Sequence, residues 1–195
     1  MSVYRVEAVR VSCRVSGCGC RSRTPRYPSD LTDERWELLE PEARAMMAEL
    51  RRSPGGAPMS HDLRAVLDAI GYLTRYGIEW RALPADFPPW AGVYAFFERW
   101  SERGGPRRLA DRLRGRIRVA CGRAELPTAA VIDAQTVRGA DTVAAASSGY
   151  DAGKKTKGRK RNIATDSLGL LLMVTVTAAG VQDRDGAHRL LGAAA

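Results

Sequence analysis

The sequence predicts an α+β protein, with a helical amino-terminal half and a small antiparallel sheet towards its carboxyl end. Apolar residues recur at helical spacing between residues 32 and 120. Three short β-rich runs between residues 129 and 177 are bounded by Gly, Ser and Asp, which is typical of strands. We therefore expect a disordered leader at residues 1–26, a helical domain at 27–122 and a sheet-containing domain at 128–195.

Four helices are predicted in the first half, beginning near residues 32, 60, 91 and 107. Thr32 is a suitable N-cap for the first helix, and Pro41 is expected to break or kink it. Gly77 suits the end of the second helix. The fourth helix carries six arginines. This pattern fits either a helix-turn-helix-like DNA-binding module or a helical bundle that only packs on the second domain.

The first β-rich run ends at a carboxylate side chain. Residues 129–132 are apolar and lead to Asp133, which we expect at the tip of the strand. A carboxylate fixed there is a good ligand for Mg²⁺, and paired metal ions catalyse phosphodiester cleavage. Asp133 is therefore a candidate catalytic residue and metal ligand, although a turn-capping aspartate is the alternative. Such a site needs at least two further carboxylates.

A cationic segment follows and enters the second run. All but two of the eight residues from 154 to 161 are basic, and Gly158 is expected to let the backbone approach a partner closely. Such density suits the phosphates of DNA without reading bases, whereas the alternative is a solvated loop. The candidate DNA-binding residues are Lys154, Lys155, Lys157, Arg159, Lys160 and Arg161.

Two more acids stand near this region. Asp166 is followed by Ser-Leu-Gly, which favours a turn-stabilising role, although it ends a strand and is a possible site residue. Asp183 precedes an apolar-periodic segment and is predicted to begin a helix.

Composition narrows the class of partner. The 195 residues carry a formal charge of +9, and 45% of them are hydrophobic, which predicts a buried core and a polyanionic partner. No apolar run approaches the roughly 18 residues of a membrane span, and residues 1–15 lack a secretory signal pattern. We expect a cytoplasmic, nucleoid-associated protein that does not contact a membrane. Cys13, Cys18 and Cys20 lack paired zinc-ligand spacing, which favours reduced thiols over a zinc site.

Several sequence motifs, taken in order along the chain, resemble those of the DDE (Asp-Asp-Glu) transposases of bacterial insertion sequences. The resemblance is to the insertion sequence 5 kind within the insertion sequence 4 and 5 superfamily. In the second half these motifs are VIDAQTVRGA, GYDAGKKTKGRKR, ATDSLGLLL and VTAAGVQDRDGA, and in the first half YPSDLTDERWELLEP and GIEWRALPADFPPW. The resemblance covers residues 27 to 191. Asn162 departs from it, since family members more often have His there.

The resemblance implies the first part of a ribonuclease-H-like fold, with a three-stranded antiparallel sheet and Asp133 as the first catalytic aspartate. It implies Mg²⁺ in the complete enzyme, with weak or no binding here, and double-stranded DNA of terminal inverted repeats as partner. Homo-oligomers or a full-length transposase are further expected partners. Because the second Asp and the late Glu of the family find no match, we expect a truncated or frameshifted transposase that is inactive alone.

Two alternative functions remain open at this stage. The first is a catalytically inactive DNA-binding fragment that occupies the terminal repeats or represses the full transposase. The second is a product without function.

Overall fold

The computed structural model describes residue 20 and residues 23–49, 61–139 and 147–192. Within them it contains five α-helices and a four-stranded antiparallel sheet, which confirms the predicted α+β class. The chain forms two compact units that divide between Ala110 and Asp111. This division falls inside the fourth helix.

The first unit is helical. Its helices are α1 (Asp33–Glu49), α2 (Leu63–Tyr76), α3 (Trp90–Glu102) and the first part of α4 (Gly105–Ala120), with a 3-10 helix at Trp80–Ala82. Because apolar side chains recur every three to four residues, each helix turns one face inward. The buried residues that form this core are Ala43 and Met46 of α1, Val66, Ala69 and Leu73 of α2, and Val93, Phe96 and Trp100 of α3.

The predicted helix ends are largely confirmed. The Thr32 hydroxyl accepts a hydrogen bond from the Arg35 N–H at 3.3 Å, as an N-cap does. Gly77 adopts the left-handed conformation (φ 62°) and its N–H donates to the Leu73 carbonyl, which ends α2. The predicted break at Pro41 is wrong, since α1 runs through it for 17 residues.

The leader predicted for residues 1–26 falls mostly outside the described residues. Arg23 is described, however, and its side chain is only 4% exposed. The folded first unit therefore includes residues that precede Tyr27.

The second unit is built on a central strand. Strand β3 (Thr156–Thr165) pairs on one edge with β1 (Val131–Arg138) and on the other edge with β2 (Gly149–Asp151) and β4 (Leu171–Ala178), all antiparallel. Helix α5 (Asp183–Gly192) follows, and its start at Asp183 confirms the prediction. The described sheet has four strands where three were predicted, and the short β2 is the additional one.

Two strand boundaries differ from the prediction, with consequences for the site. Strand β3 begins at Thr156, so most of the basic segment, which was expected to lead into this strand, is itself part of the sheet. Asp133 is the third residue of the eight-residue β1 and does not stand at a strand tip.

Helix α5 covers one face of the sheet. A Cβ added to Gly186 would stand 2.3 Å from the Asn162 side-chain oxygen, so glycine is needed for this close packing. Asn162 and Ala164 of β3 are buried on the same face. Because side chains alternate along a strand, the intervening residues of β3 project to the opposite face.

No helix among the described residues combines the length and the apolar character needed to span a membrane.

Candidate nucleic-acid interface

The sheet face opposite α5 brings Asp133 together with part of the basic segment. Asp133 pairs across the strands with Ile163, and the next pair on this face is Gln135 with Arg161. Directly opposed residues share a face, and diagonal neighbours stand about 7–8 Å apart. Asp133 and Arg161 are therefore diagonal neighbours on this face, which we call the open face, and both residues are exposed.

Arg159 and Arg161 are held in place by neutral groups. Nη2 of Arg161 donates to the Gln135 side-chain oxygen at 2.6 Å. Arg159 donates from Nε to the Ser147 carbonyl at 3.1 Å and from Nη2 to the Ser147 hydroxyl at 2.8 Å. These contacts orient the guanidinium groups without neutralising them, so both charges are available to an anion.

The open face also has apolar members. Val137, Val174 and Val176 are each exposed by 40% or more, and Tyr150 lies opposite Lys157 at the start of β3. The face is thus a mixed surface of valines and cations.

The turn between β2 and β3 presents two further lysines. The Lys154 N–H donates to Oδ1 of Asp151 at 3.0 Å, and its Nζ donates to the Ala134 carbonyl at 2.8 Å. Lys155 is exposed and has a positive φ of 49°. A hydrogen bond from the Thr136 hydroxyl, at 2.6 Å, together with the Lys154 N–H, lowers the pKa of Asp151 to about 2. The turn is therefore fixed by a carboxylate that stays ionised at neutral pH.

Lys160, predicted to bind DNA, points the other way. It is 5% exposed, and its Nζ lies 2.7 Å from an Asp183 carboxylate oxygen and 2.8 Å from the Val181 carbonyl. The hydrogen bond to Asp183 raises the pKa of Lys160, and this outweighs the opposite effect of burial. The alternation of β3 places Lys160 on the covered face, where it ties the strand to the start of α5. This position argues against a phosphate contact.

Gly158 is buried and does allow a close approach, but the group that approaches it belongs to the same sheet. A Cβ there would stand 2.0 Å from the Val137 carbonyl oxygen and 2.6 Å from the Gly139 nitrogen. The backbone that approaches it closely is therefore β1 of the same sheet, not an external partner.

Asp166 stabilises a turn, as the sequence favoured. Its Oδ1 accepts from the N–H groups of Leu168 and Leu170, both at 2.9 Å, at the hairpin between β3 and β4. Its Oδ2 accepts from Arg118 of α4. Burial acts to raise the pKa of Asp166, but the hydrogen bonds from Arg118 and the two N–H groups lower it overall.

Arg118 is the partner that sequence reasoning missed. It is one of the six arginines of the fourth helix and is 5% exposed, while the apolar Ile117 of the same helix is 46% exposed. Arg118 also donates from Nε to the Ala124 carbonyl at 2.8 Å. Helical periodicity alone does not show that a charged side chain 48 residues from Asp166 is buried with it.

The described carboxylates of the second unit do not assemble around Asp133. Asp151 and Asp183 contact Lys160 on the covered face, and Asp166 is buried with Arg118. Among the described residues there is no group of three or more His, Cys, Asp or Glu side chains arranged to hold a metal ion. Asp133 thus stands as a single possible ligand, which does not fit a two-metal site.

The described cysteines take no part in such a site either. Cys20 is buried and Cys121 is exposed. Cys13 and Cys18 lie outside the described residues.

Each half of the chain matches a known protein family. Residues 31–110 match a family described as "Putative transposase of IS4/5 family", and residues 125–195 match the family "Transposase DDE domain". The chain is 32% identical over 92 residues to the insertion element IS402 uncharacterized 16.2 kDa protein of Burkholderia cepacia. That alignment covers 46% of this chain and 61% of the relative. No solved structure matches the chain at a significant level.

One match on each unit, in the same order as the motifs quoted from the sequence, places the chain among transposase-type proteins. The chain is of the insertion-sequence transposase type, of the IS4/5 kind. The match to the DDE domain implies a ribonuclease-H-like fold for the second unit and, for such domains in general, dependence on a divalent metal.

Proposed function

We propose that this protein acts in DNA transposition as a DDE-type transposase that cuts and joins DNA at the ends of an insertion sequence. In this proposal, double-stranded DNA of the terminal inverted repeats lies along the open face of the sheet. The observation that carries it is the placement of Asp133 beside Arg161 on a face whose cations are not neutralised by their contacts.

The cations have the arrangement that a phosphate backbone requires. Lys157, Arg159 and Arg161 alternate along β3 and project to one side, at a spacing of about 6.5–7 Å between successive members, which is twice the rise of a strand residue. Phosphates along one DNA strand are separated by a similar distance, so successive cations are able to neutralise successive phosphates. Lys154 and Lys155 extend this row at the turn, whereas Lys160 is not part of it.

Asp133 has the proposed role of a catalytic carboxylate at the DNA backbone. It is an exposed acid on the neighbouring strand β1, diagonal to Arg161 at the end of the row of cations, and those cations would hold a phosphate beside it. Mg²⁺ is the divalent ion proposed for the complete reaction, and Asp133 is the described side chain that would contribute a ligand. The described residues do not supply the rest of that ligand set.

A second candidate function is supported by the same carboxylate geometry. Since Asp151, Asp166 and Asp183 are committed to other contacts, the described part of the chain resembles a DNA-binding surface more than a complete cleavage site. A protein that occupies the terminal repeats, alone, as a homo-oligomer or with a full-length transposase, would regulate transposition without cutting DNA.

Binding by this face is tested with a double variant and a matched control. The variant Arg159→Gln/Arg161→Gln removes two charges from the open face, and Arg184→Gln/Arg189→Gln removes two exposed charges from α5. We expect the first to weaken binding to a duplex that contains the terminal repeat by at least tenfold in a fluorescence anisotropy titration. The control should change it by less than threefold. Equal loss in both variants would refute the proposed face.

Cleavage is tested on a supercoiled plasmid that carries the repeats, with Mg²⁺ present. If the protein is a transposase in its own right, Asp133→Asn abolishes strand cleavage and leaves DNA affinity within twofold of the wild type. If the wild type binds the repeats without cutting, the regulatory function is the correct one. Cleavage that persists in Asp133→Asn would exclude Asp133 as the catalytic residue.

A further inference from the structure

We infer that the first unit contains a guanidinium-binding site, which in this chain is filled by its own Arg23. The site is built from Asp30, Asp68 and Asp86 with the ring of Phe87, and it is independent of the proposed DNA-binding face. Arg23 precedes the family match, which begins at residue 31. Asp68, Asp86 and Phe87 lie within the matched range.

The carboxylates surround the guanidinium group on its different edges. Nη2 of Arg23 lies 2.8 Å from both oxygens of Asp30, and Nη1 lies 3.2 Å from Oδ2 of Asp68. Nε lies 3.5 Å from Oδ2 of Asp86, within ion-pair distance. The side chains of Asp30 and Asp68 are each 2% exposed, so these contacts are withdrawn from water.

An aromatic ring closes the site from one side. The central carbon of the Arg23 guanidinium lies 4.0 Å from the centroid of the Phe87 ring. A planar cation gains from stacking on an aromatic face while its edges donate to carboxylates, and an ammonium group has no such planar surface. The arrangement is therefore selective for guanidinium over ammonium.

The carboxylates are themselves fixed by the backbone. Asp30 accepts from the N–H groups of Arg26 and Tyr27, at 2.7 and 2.9 Å, and Asp68 accepts from the Leu31 N–H at 2.9 Å. Arg64, one turn before Asp68 on α2, donates to the Leu31 carbonyl at 2.6 Å. The acids are thus preorganised, and the site links the segment before α1 to α2.

The site has an opening to the surface. A cleft lined in part by Arg23, Pro25, Arg64 and Asp68 borders it. If the Arg23 side chain is removed, a small guanidinium compound has a route to the carboxylates. This makes the proposal testable by chemical rescue.

The experiment compares the full chain with Arg23→Ala and with the control Arg26→Ala, which removes an exposed arginine from the same segment. Removing one partner of a buried ion pair is strongly destabilising, so Arg23→Ala should lower the midpoint of thermal unfolding by about 10 °C. Arg26→Ala should leave it within about 2 °C, since surface substitutions have small effects.

Methylguanidinium at millimolar concentration should raise the midpoint of Arg23→Ala by several degrees, because a ligand that binds the folded state stabilises it. It should not affect the wild type or Arg26→Ala, and methylammonium at the same concentration should not affect Arg23→Ala. If Arg23→Ala is unfolded, the readout is recovery of helical circular dichroism on addition of methylguanidinium. A wild-type midpoint for Arg23→Ala, or no selective response to methylguanidinium in either readout, would overturn the inference.

Discussion

Two lysines of the same strand, Lys157 and Lys160, provide the sharpest test of the DNA-binding proposal. They are three residues apart on β3 and carry the same charge, but Lys157 is exposed on the open face and Lys160 is buried under α5. Substitution of each by glutamine changes the net charge equally. The two variants therefore separate a contact with DNA from a general effect of charge.

The magnitude follows from the number of cations available to phosphates. With Lys160 excluded, five remain in the basic segment, and about 0.9 counterions are released per phosphate neutralised on duplex DNA. The slope of log affinity against log salt concentration should then be about −4.5, which is a loss of about 500-fold between roughly 50 and 200 mM salt. Lys157→Gln should reduce the slope to about −3.6.

Lys160→Gln should leave the slope at the wild-type value and instead lower the thermal midpoint, because it removes the ion pair with Asp183. The assay is fluorescence anisotropy over a series of salt concentrations, with unfolding followed by circular dichroism. If Lys160→Gln reduces the slope as much as Lys157→Gln does, the two faces of the sheet are not distinguished by DNA and our reasoning is wrong.

Two further predictions concern stability. A Cβ at Gly158 would meet backbone atoms of β1, so Gly158→Ala should destabilise the protein by about 1–3 kcal/mol, whereas Gly153→Ala, where the nearest atom is 3.5 Å away, should be nearly neutral in urea unfolding. Burial raises the pKa of Asp68 to about 6 from 3.8. Between about pH 4 and 6 the Asp68 carboxyl is therefore protonated in the folded state but ionised in the unfolded state. Asp68 thus makes the free energy of unfolding fall as the pH rises from about 4 to 6, by up to about 3 kcal/mol. Relative to the wild type, Asp68→Asn should gain stability over that pH interval, and a constant difference between the two would contradict the assigned pKa.

Much of the local structure was predictable from the sequence because it depends on neighbouring residues. The N-cap at Thr32, the left-handed end of α2 at Gly77 and the start of α5 at Asp183 all follow from short patterns. Pro41 was misread because a helix that is held by tertiary packing tolerates a proline that would disfavour an isolated one.

The sequence identified candidate residues for the site, but it did not show on which face of the sheet each of them lies. The density of lysine and arginine and the position of Asp133 are visible in the sequence. The burial of Lys160 was also predictable, because a strand that runs through the basic segment places alternate side chains on the covered face. It was missed because the segment was interpreted as a ribbon that precedes the strand.

By itself, the sequence determined the class of protein, the four helices of the first half and α5, three of the four strands without their exact boundaries, and the presence of a cationic segment next to an acid. Only the tertiary structure decided which cations face outward, because the phase of β3 depends on its pairing with β1 and on the packing of α5. It likewise decided that Arg118 meets Asp166, and that Arg23 meets Asp68, across separations of 48 and 45 residues. A charge far along the chain becomes a buried partner only when folding brings both groups out of water together, and no local pattern records that event.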